Sequence, residues 1–309
     1  MEFSHKPVLL AQCIDGLAVR PDGVYVDGTA GGAGHSAAIA KKLDTGRLIA
    51  IDKDPAALAT ATERLAPFPT AQVVQGDFRD IGRILDRLEI PAVDGILLDL
   101  GVSSHQLDTR ERGFSYHNDA PLDMRMSGGG PSARDLVNNS SPQELTRIFR
   151  QYGEEKFAPR IANNIVNARA AAPVETTGQL VDIIKSAIPA AARREGGHPA
   201  KRVFQAIRIA VNGELDSLAD CLDVGFDRLG ISGRMVIITF HSLEDRMVKQ
   251  AFAAYCRGCI CPPDFPVCIC GRTPRARLVS RKPIIADSRE LEENHRSRSA
   301  KLRILEKTQ

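Results

Sequence analysis

No apolar run in the sequence approaches the ~18 residues that a membrane-spanning helix needs. The short stretch Val8-Leu9-Leu10 is interrupted by Asp15. A non-membrane, unexported chain is therefore expected. Internal repeats and low-complexity tracts are absent too, which excludes solenoids and disordered linker arrays. The seven cysteines are an odd number, and five of them crowd between Cys256 and Cys270. That distribution suits a reducing compartment better than a disulfide framework, so a cytoplasmic location is expected. A strong charge of either sign is also missing: the net value is +3 over 309 residues. Its distribution is uneven, because residues 256–309 hold twelve Lys/Arg against six Asp/Glu. A basic C-terminal region suits a polyanionic partner, although an ordinary solvated surface fits the charge equally well.

What is present is enough apolar material, 43% of residues, to build one large domain or two ordinary ones. Short apolar runs at 24–26, 48–51, 73–74 and 96–98 alternate with amphipathic stretches at 36–43, 56–65 and 81–88. This βαβαβαβ rhythm predicts a doubly wound, Rossmann-like α/β sheet. Between 101 and 212 no strand pattern is found, only helices with start signals. Ser141-Pro142-Gln143-Glu144 reads as a capping box with proline at the first helical position, closed by Gly153. Thr176 and Gln179 repeat the form. After a helix at 214–229 and a glycine-rich turn at 230–233, the strand pattern resumes at 234–240. Segments 283–286 and 301–305 are expected to finish the sheet as an antiparallel pair. The expected organisation is 1–107 and 213–309 as the two parts of one α/β domain, with a mainly helical domain, 108–212, inserted between them.

The turn after the first strand, Asp27-Gly28-Thr29-Ala30-Gly31-Gly32-Ala33-Gly34-His35-Ser36, lets a ligand approach the backbone and precedes a helix N-terminus. Alone it fits two cofactors, because Gly32-x-Gly34-x-x-Ala37 also matches a dinucleotide fingerprint. Acidic residues at successive strand ends favour S-adenosylmethionine. Asp52 is placed to accept both ribose hydroxyls, Asp77 and Phe78 to meet the adenine, and Asp99 to close the fourth strand end. Taken singly, each aspartate reads equally well as a helix cap or turn former.

Longer motifs are more specific. They include Asp27-Gly28-Thr29 with Gly34-His35-Ser36, the run from Asp94 to Ser104 with Gln106-Leu107-Asp108, and Arg112-Gly113-Phe114-Ser115. Pro121 to Met126, Tyr152-Gly153-Glu154-Glu155, Phe204 to Arg208 with Val211-Asn212, and Phe240 to Arg246 join them. Together they resemble the bacterial 16S rRNA (cytosine-N4) methyltransferase family, and the likeness runs from Val8 to Arg303. The resemblance implies a class I methyltransferase sheet and methylation of the exocyclic N4 of a cytidine in the decoding centre of 16S rRNA. The implied partner is the small ribosomal subunit, whether the chain acts as monomer or homodimer. It further implies cofactor contacts from Ala33, Gly34, His35, Asp52, Phe78, Asp99 and Gln106, with Ala33 standing where the family has glycine and contributing a backbone N–H. No metal is required by it.

Two side chains are candidates for catalysis. Asp99 occupies the strand end where related amino-methyltransferases place the first residue of an Asp-Pro-Pro-aromatic motif, although here Leu100-Gly101-Val102 follows. His241, after the fifth strand, can act as base or substrate contact, or else cap the next helix. For the RNA, Lys201, Arg202, Gln205, Arg208 and Asn212 recur at helical spacing, and Arg272, Arg275, Arg277, Arg281, Lys282, Arg296, Arg298, Lys301 and Arg303 extend the basic surface. Cys259-x-Cys261 and Cys268-x-Cys270 place four thiols close in sequence. They can bind zinc, stay reduced in a surface loop, or form a disulfide. Two readings from other classes are an NAD-dependent oxidoreductase and a non-catalytic ribosome-assembly factor.

Overall fold

The structure is a computed structural model that describes residues 7–194, 197–262 and 267–309. The linker 263–266 between the cysteine pairs lies outside them. In chain order the elements are α1 (Leu10–Leu17), β1 (Val24–Asp27), α2 (Gly34–Ala40), β2 (Arg47–Asp52), α3 (Pro55–Leu65), β3 (Ala71–Gln75), α4 (Ile81–Arg87) and β4 (Val93–Asp99). A helical stretch follows: α5 (Ser104–Asp108), α6 (Ala133–Asn139), α7 (Pro142–Gly153), α8 (Ala158–Ala171), α9 (Thr177–Ala187), α10 (Ala190–Arg194), α11 (Lys201–Asn212) and α12 (Glu214–Arg228). The chain closes with β5 (Leu229–Thr239), α13 (Ser242–Tyr255), β6 (Ala276–Leu278), α14 (Ser288–Glu293) and β7 (Lys301–Lys307).

The seven strands form one sheet in the order β3-β2-β1-β4-β5-β7-β6. β1 to β5 are parallel, and β7 runs antiparallel to both β5 and β6. Alternate residues of the central strands go to opposite faces, as the pleat demands. Val26, Ile49, Ile96, Leu98 and Ile237 pack with α4, α12 and α13. Tyr25, Leu48, Leu97, Val236 and Ile238 pack with α1, α2 and α3. Cover on both faces explains why these strands read as continuous apolar runs. An antiparallel β7 wedged between β5 and β6 departs from the 3-2-1-4-5-6 order of dinucleotide-binding sheets, which removes the support that the glycine fingerprint lent to NAD.

The chain divides into two compact units, residues 1–101 with 215–309, and Val102–Glu214. The second contains the expected 108–212 segment together with 102–107, because Val102 and Leu107 pack into that unit's own apolar cluster around Phe149, Ile161, Leu180 and Ile207. Its helices start where side-chain oxygens meet orphan N–H groups: Ser132, Ser141 and Thr176 each accept an N–H three residues on.

Three local expectations are refined or corrected. Residues 230–233 fall within β5, which begins at Leu229, but the expected turn survives there as a bulge: Ser232 is left-handed (φ 67°) and the register against β4 shifts between Val93 and Gly95. A Cβ on Gly233 would meet Gly230 O, three residues back, at 2.8 Å and Val93 O on β4 at 3.1 Å, so glycine is required both by the local reversal and by the close approach of β4. The segment 283–286 contributes only one bridge, Ile284 to Leu302, and the edge strand is Ala276–Leu278 instead. Gly153 closes α7 as expected, but it is not the left-handed residue at the helix end. That conformation belongs to Glu154 (φ 49°), while Gly153 lets α11 approach, since a Cβ there would lie 2.6 Å from Arg202 O.

Candidate active site

In the strand order of this sheet the connections reverse direction between β1 and β4, and open α/β sheets hold ligands outside the carboxyl ends of such strands. The 28–33 loop leaves β1 at that point and is hydrogen-bonded to both neighbours. Gly28 N–H donates to Leu97 O and Ala30 N–H to Ile51 O, both at 2.9 Å. Gly31 N–H donates to Asp52 Oδ2 at 2.8 Å. Thr29 Oγ1 accepts the Asp99 N–H at 2.6 Å. The start of α2 is equally tight, because a Cβ on Gly34 would meet Pro7 Cγ at 2.2 Å.

Behind the loop sits Asp27, a residue whose positioning role the sequence reading missed. It is buried, accepts the Ser36 hydroxyl at 2.6 Å on Oδ2, and accepts Thr29 N–H at 3.1 Å on Oδ1. Burial pushes its carboxyl above the ordinary value, and those hydrogen bonds oppose the shift. Thr29 was missed as well; the Asp27-Gly28-Thr29 motif was its only signal.

Asp52 ends β2 with one backbone N–H on each oxygen, Gly31 on Oδ2 and Asp54 on Oδ1, both at 2.8 Å. Burial raises its pKa and the two N–H groups oppose that. Each oxygen keeps a further lone pair, the requirement for accepting two vicinal hydroxyls. Phe78 is half-buried beside the loop; a Cβ on Gly28 would fall 3.0 Å from Phe78 Cβ and 2.5 Å from Leu98 Cδ2. Asp77, expected beside the adenine, is engaged locally instead: it pairs with Lys53 (3.1 Å), accepts the Ser217 hydroxyl (3.3 Å) and caps Arg79 N–H (3.1 Å).

Ala33 is left-handed (φ 58°) and fully buried, and its N–H donates to Ala30 O at 2.6 Å. In this structure that N–H closes a turn within the loop. His35 is buried; its Nε2 lies 3.0 Å from Val8 O and its Nδ1 3.7 Å from Asp99 Oδ2. Asp99 ends β4 with Oδ1 buried and without a hydrogen-bond partner. Burial first, then the carboxylates of Asp27 and Glu244, push its pKa up to about 6 against the opposing influence of His35. An orphaned carboxylate oxygen among like charges is a receptor for a cation.

His241 is placed otherwise than the base hypothesis requires. It is the N-cap of α13, with Nδ1 accepting Glu244 N–H at 3.4 Å while Glu244 Oε2 accepts Phe240 N–H at 2.8 Å. Accepting at Nδ1 puts the neutral ring's proton on Nε2, which lies 3.1 Å from Glu244 Oε1 without hydrogen-bond geometry. The cap contact at Nδ1 matches the helix-cap alternative. The first unit thus brings together Ala33, Gly34, His35, Asp52, Phe78 and Asp99. Gln106 lies in the second unit, buried in the capping box of α5, where its Oε1 accepts Ser103 N–H at 2.9 Å.

The polar face of α11 also differs from expectation. Arg208 makes two 2.8 Å bonds to Glu214, Asn212 binds the backbone of Met124 and Met126 at 2.8 Å, and Gln205 donates to Tyr152 O at 3.0 Å. Helical spacing cannot tell a phosphate-facing side chain from one that ties down a neighbouring loop. Among the C-terminal cations, Arg277 pairs with Glu306, while Lys301 and Arg303 share Asp245. Arg272, Arg281, Lys282 and Arg298 are exposed. The second unit carries an aromatic cluster the sequence did not reveal: Tyr116 stacks on His198 (4.5 Å, 14°), with His117 5.7 Å from His198.

Compared with known proteins, residues 2–308 match the family model described as the MraW methylase family. The "Ribosomal RNA small subunit methyltransferase H" of Heliobacterium modesticaldum is 55% identical over 311 residues, covering 99% of each chain. The protein of the same name from Acetivibrio thermocellus is 57% identical over 312 residues, covering 99% of this chain and 100% of its own. Among solved structures, a putative rRNA methylase from Clostridium thermocellum aligns over 98% of this chain and 99% of its own, at 11% identity and a TM-score of 0.46.

Proposed function

The chain belongs to the MraW methylase family, and on that premise we propose that it transfers the methyl group of S-adenosylmethionine to ribosomal RNA of the small subunit, at the exocyclic N4 of a cytidine in the 16S decoding centre. The substrate is the assembled or nearly assembled small subunit, met in the cytoplasm. Among the described residues no helix is long and apolar enough to cross a membrane.

The observation that carries the cofactor assignment is the partnerless Asp99 Oδ1, raised in pKa beside Asp27 and Glu244. Such a site attracts the ammonium of the cofactor's methionine end and repels a pyrophosphate, which separates S-adenosylmethionine from NAD on charge alone. When bound, the cofactor supplies an electrophilic methyl on a positively charged sulfur. Asp52 accepts the ribose hydroxyls, Phe78 lies along the adenine, and Gly28 and Gly34 keep the loop close enough for the ligand to pass without side chains in its way. His35 ties the loop to the N-terminal segment through its Nε2 contact with Val8 O, beside Asp99. Asp99 binds and orients rather than takes the proton, since a carboxylate paired to an ammonium is a weakened base. In the transfer the N4–CH3 bond forms, the S–CH3 bond breaks, and the proton of the methylated amine passes to solvent. The rate then comes from holding N4 in line with the methyl group.

The second unit is the RNA-recognising part. Its Tyr116, His117 and His198 rings offer the aromatic faces on which unpaired bases stack. Burial, and then the charges of Lys185 and His117, lower the His198 pKa, which keeps the stacked ring neutral. Incubating the purified protein with labelled S-adenosylmethionine and small subunits from cells lacking this activity is expected to label the 16S rRNA, and Asp52→Ala to abolish the label. Cofactor binding by calorimetry without any transfer would contradict the RNA assignment. Absence of cofactor binding would contradict the whole reading.

A further inference from the structure

The described residues of the 256–275 segment between α13 and β6, 256–262 and 267–275, form no helix or strand, and a loop of that length is either functional or a linker. Its base is tied: Arg275 N–H donates to Tyr255 O at 3.0 Å, and a Cβ on Gly258 would sit 3.2 Å from Pro274 Cδ. Beyond that base, none of the described residues of the loop is buried in an apolar cluster. Ile260, Val267 and Ile269 are 44%, 70% and 75% exposed, three of the few large apolar side chains turned to solvent among the described residues. Yet at this coreless end Cys259 and Cys261 on the outgoing leg meet Cys268 and Cys270 on the returning leg, with all four sulfurs within 4.8 Å of one another. All four are free thiols.

The sulfur positions have a metric that hydrophobic collapse does not produce. A tetrahedral zinc with Zn–S of about 2.3 Å has S···S edges of about 3.8 Å. Cys268 Sγ lies 3.6 Å from Cys270 Sγ, and Cys270 Sγ lies 3.7 Å from Cys259 Sγ. Two backbone N–H groups point at the sulfurs, Ile260 N–H to Cys270 Sγ at 3.5 Å and Cys261 N–H to Cys259 Sγ at 3.4 Å. Such N–H···S bonds stabilise thiolates and orient them as ligands. Gly271, directly after the last cysteine, is left-handed (φ 59°), turning the chain away from the cluster.

We propose that Cys259, Cys261, Cys268 and Cys270 bind one zinc ion as a closed, structural tetrathiolate site that clasps the two legs of this loop. Of the three readings the sequence left open for these cysteines, this takes the zinc site. The four protein ligands leave no open position, so the ion does no chemistry on the substrate. Binding converts four thiols to thiolates and releases their protons to solvent. The clasp joins the two legs that carry Arg257 and Arg272, and so fixes the placement of those two cations.

The test uses the full-length protein, purified under reducing conditions from cells grown with zinc, with metal measured by plasma mass spectrometry. About one zinc per chain is expected. Cys259→Ser with Cys270→Ser should reduce it to a small fraction, while calorimetric binding of S-adenosylmethionine survives and shows that the α/β unit is folded. Cobalt added to reduced, chelator-stripped protein should give the spectrum of a tetrahedral thiolate site, again lost in the double variant. Protein that contains no zinc as purified and takes up neither zinc nor cobalt when reduced overturns the proposal. So does intact-mass evidence that these cysteines are joined as disulfides in protein kept anaerobic, or metal content unchanged by the double substitution.

Discussion

Asp99 concentrates the energetics of the cofactor site in one carboxyl group. Its folded-state pKa of about 6 lies above the ordinary carboxylate value, so the folded protein holds a proton there more tightly than the unfolded chain does. The contribution of this group to stability is therefore fully present below the unfolded pKa near 4 and is lost as pH rises through about 6, leaving the ionised group as a cost at neutral pH. A cationic ligand offsets that cost. The expected consequence is that the Kd for S-adenosylmethionine is flat above pH 7 and rises by up to about tenfold per pH unit below 6, as measured by calorimetry. Asp99→Asn should weaken binding roughly ten- to a hundredfold, the effect of losing a hydrogen bond to a charged group (~1.5–3 kcal/mol), and should flatten the profile. A wild-type profile without inflection between pH 5 and 7 would contradict the assignment of the ammonium to Asp99.

At the scale of elements, α7 offers a pair of opposite predictions. Glu154 is exposed and left-handed at the end of the helix, where glycine is the favoured residue. Glu154→Gly should stabilise the protein by about 0.5–1 kcal/mol, raising Tm by ~2–4 °C in a thermal melt. Gly153→Ala, one residue earlier, should destabilise it, because the added methyl meets the Arg202 carbonyl. A helix ended by glycine in sequence looks like a glycine cap, and only the neighbouring helix reveals that the glycine serves packing. Other elements were legible for clear reasons. The four parallel strands and their helices could be read because burial on both faces writes a continuous apolar run and burial on one face writes a helical stripe. β6 was not legible: its three residues, with burial only at Ala276, leave no periodicity, and the more apolar stretch around Ile284 and Ile285 drew the assignment instead. At the site, the acidic strand ends announced Asp52 and Asp99. At His241 and Asp77 the sequence left cap and ligand roles both open, because the two use the same atoms and the choice depends on which N–H group the fold brings to them.

For the whole molecule, the division into two units predicts that cofactor binding and RNA methylation are separable by substitution. Tyr116→Ala, in the second unit, should leave the calorimetric affinity for S-adenosylmethionine unchanged while reducing methyl transfer to small subunits about tenfold, the loss expected for one base–aromatic stack of ~1–3 kcal/mol. Asp99→Asn should do the reverse, raising the cofactor concentration needed for half-maximal rate. S-adenosylmethionine at a hundred times its Kd should stabilise the protein by about 2.7 kcal/mol and shift Tm upward, whereas NAD at the same concentration should not. Equal shifts from both ligands would remove the charge argument that separates them. The central claim is tested most directly by nucleoside mass spectrometry of 16S rRNA from cells with and without this gene. N4-methylated cytidine present with the gene, absent without it and restored by the wild-type chain but not by Asp52→Ala is the predicted result. An unchanged N4-methylcytidine signal when the gene is deleted would contradict it.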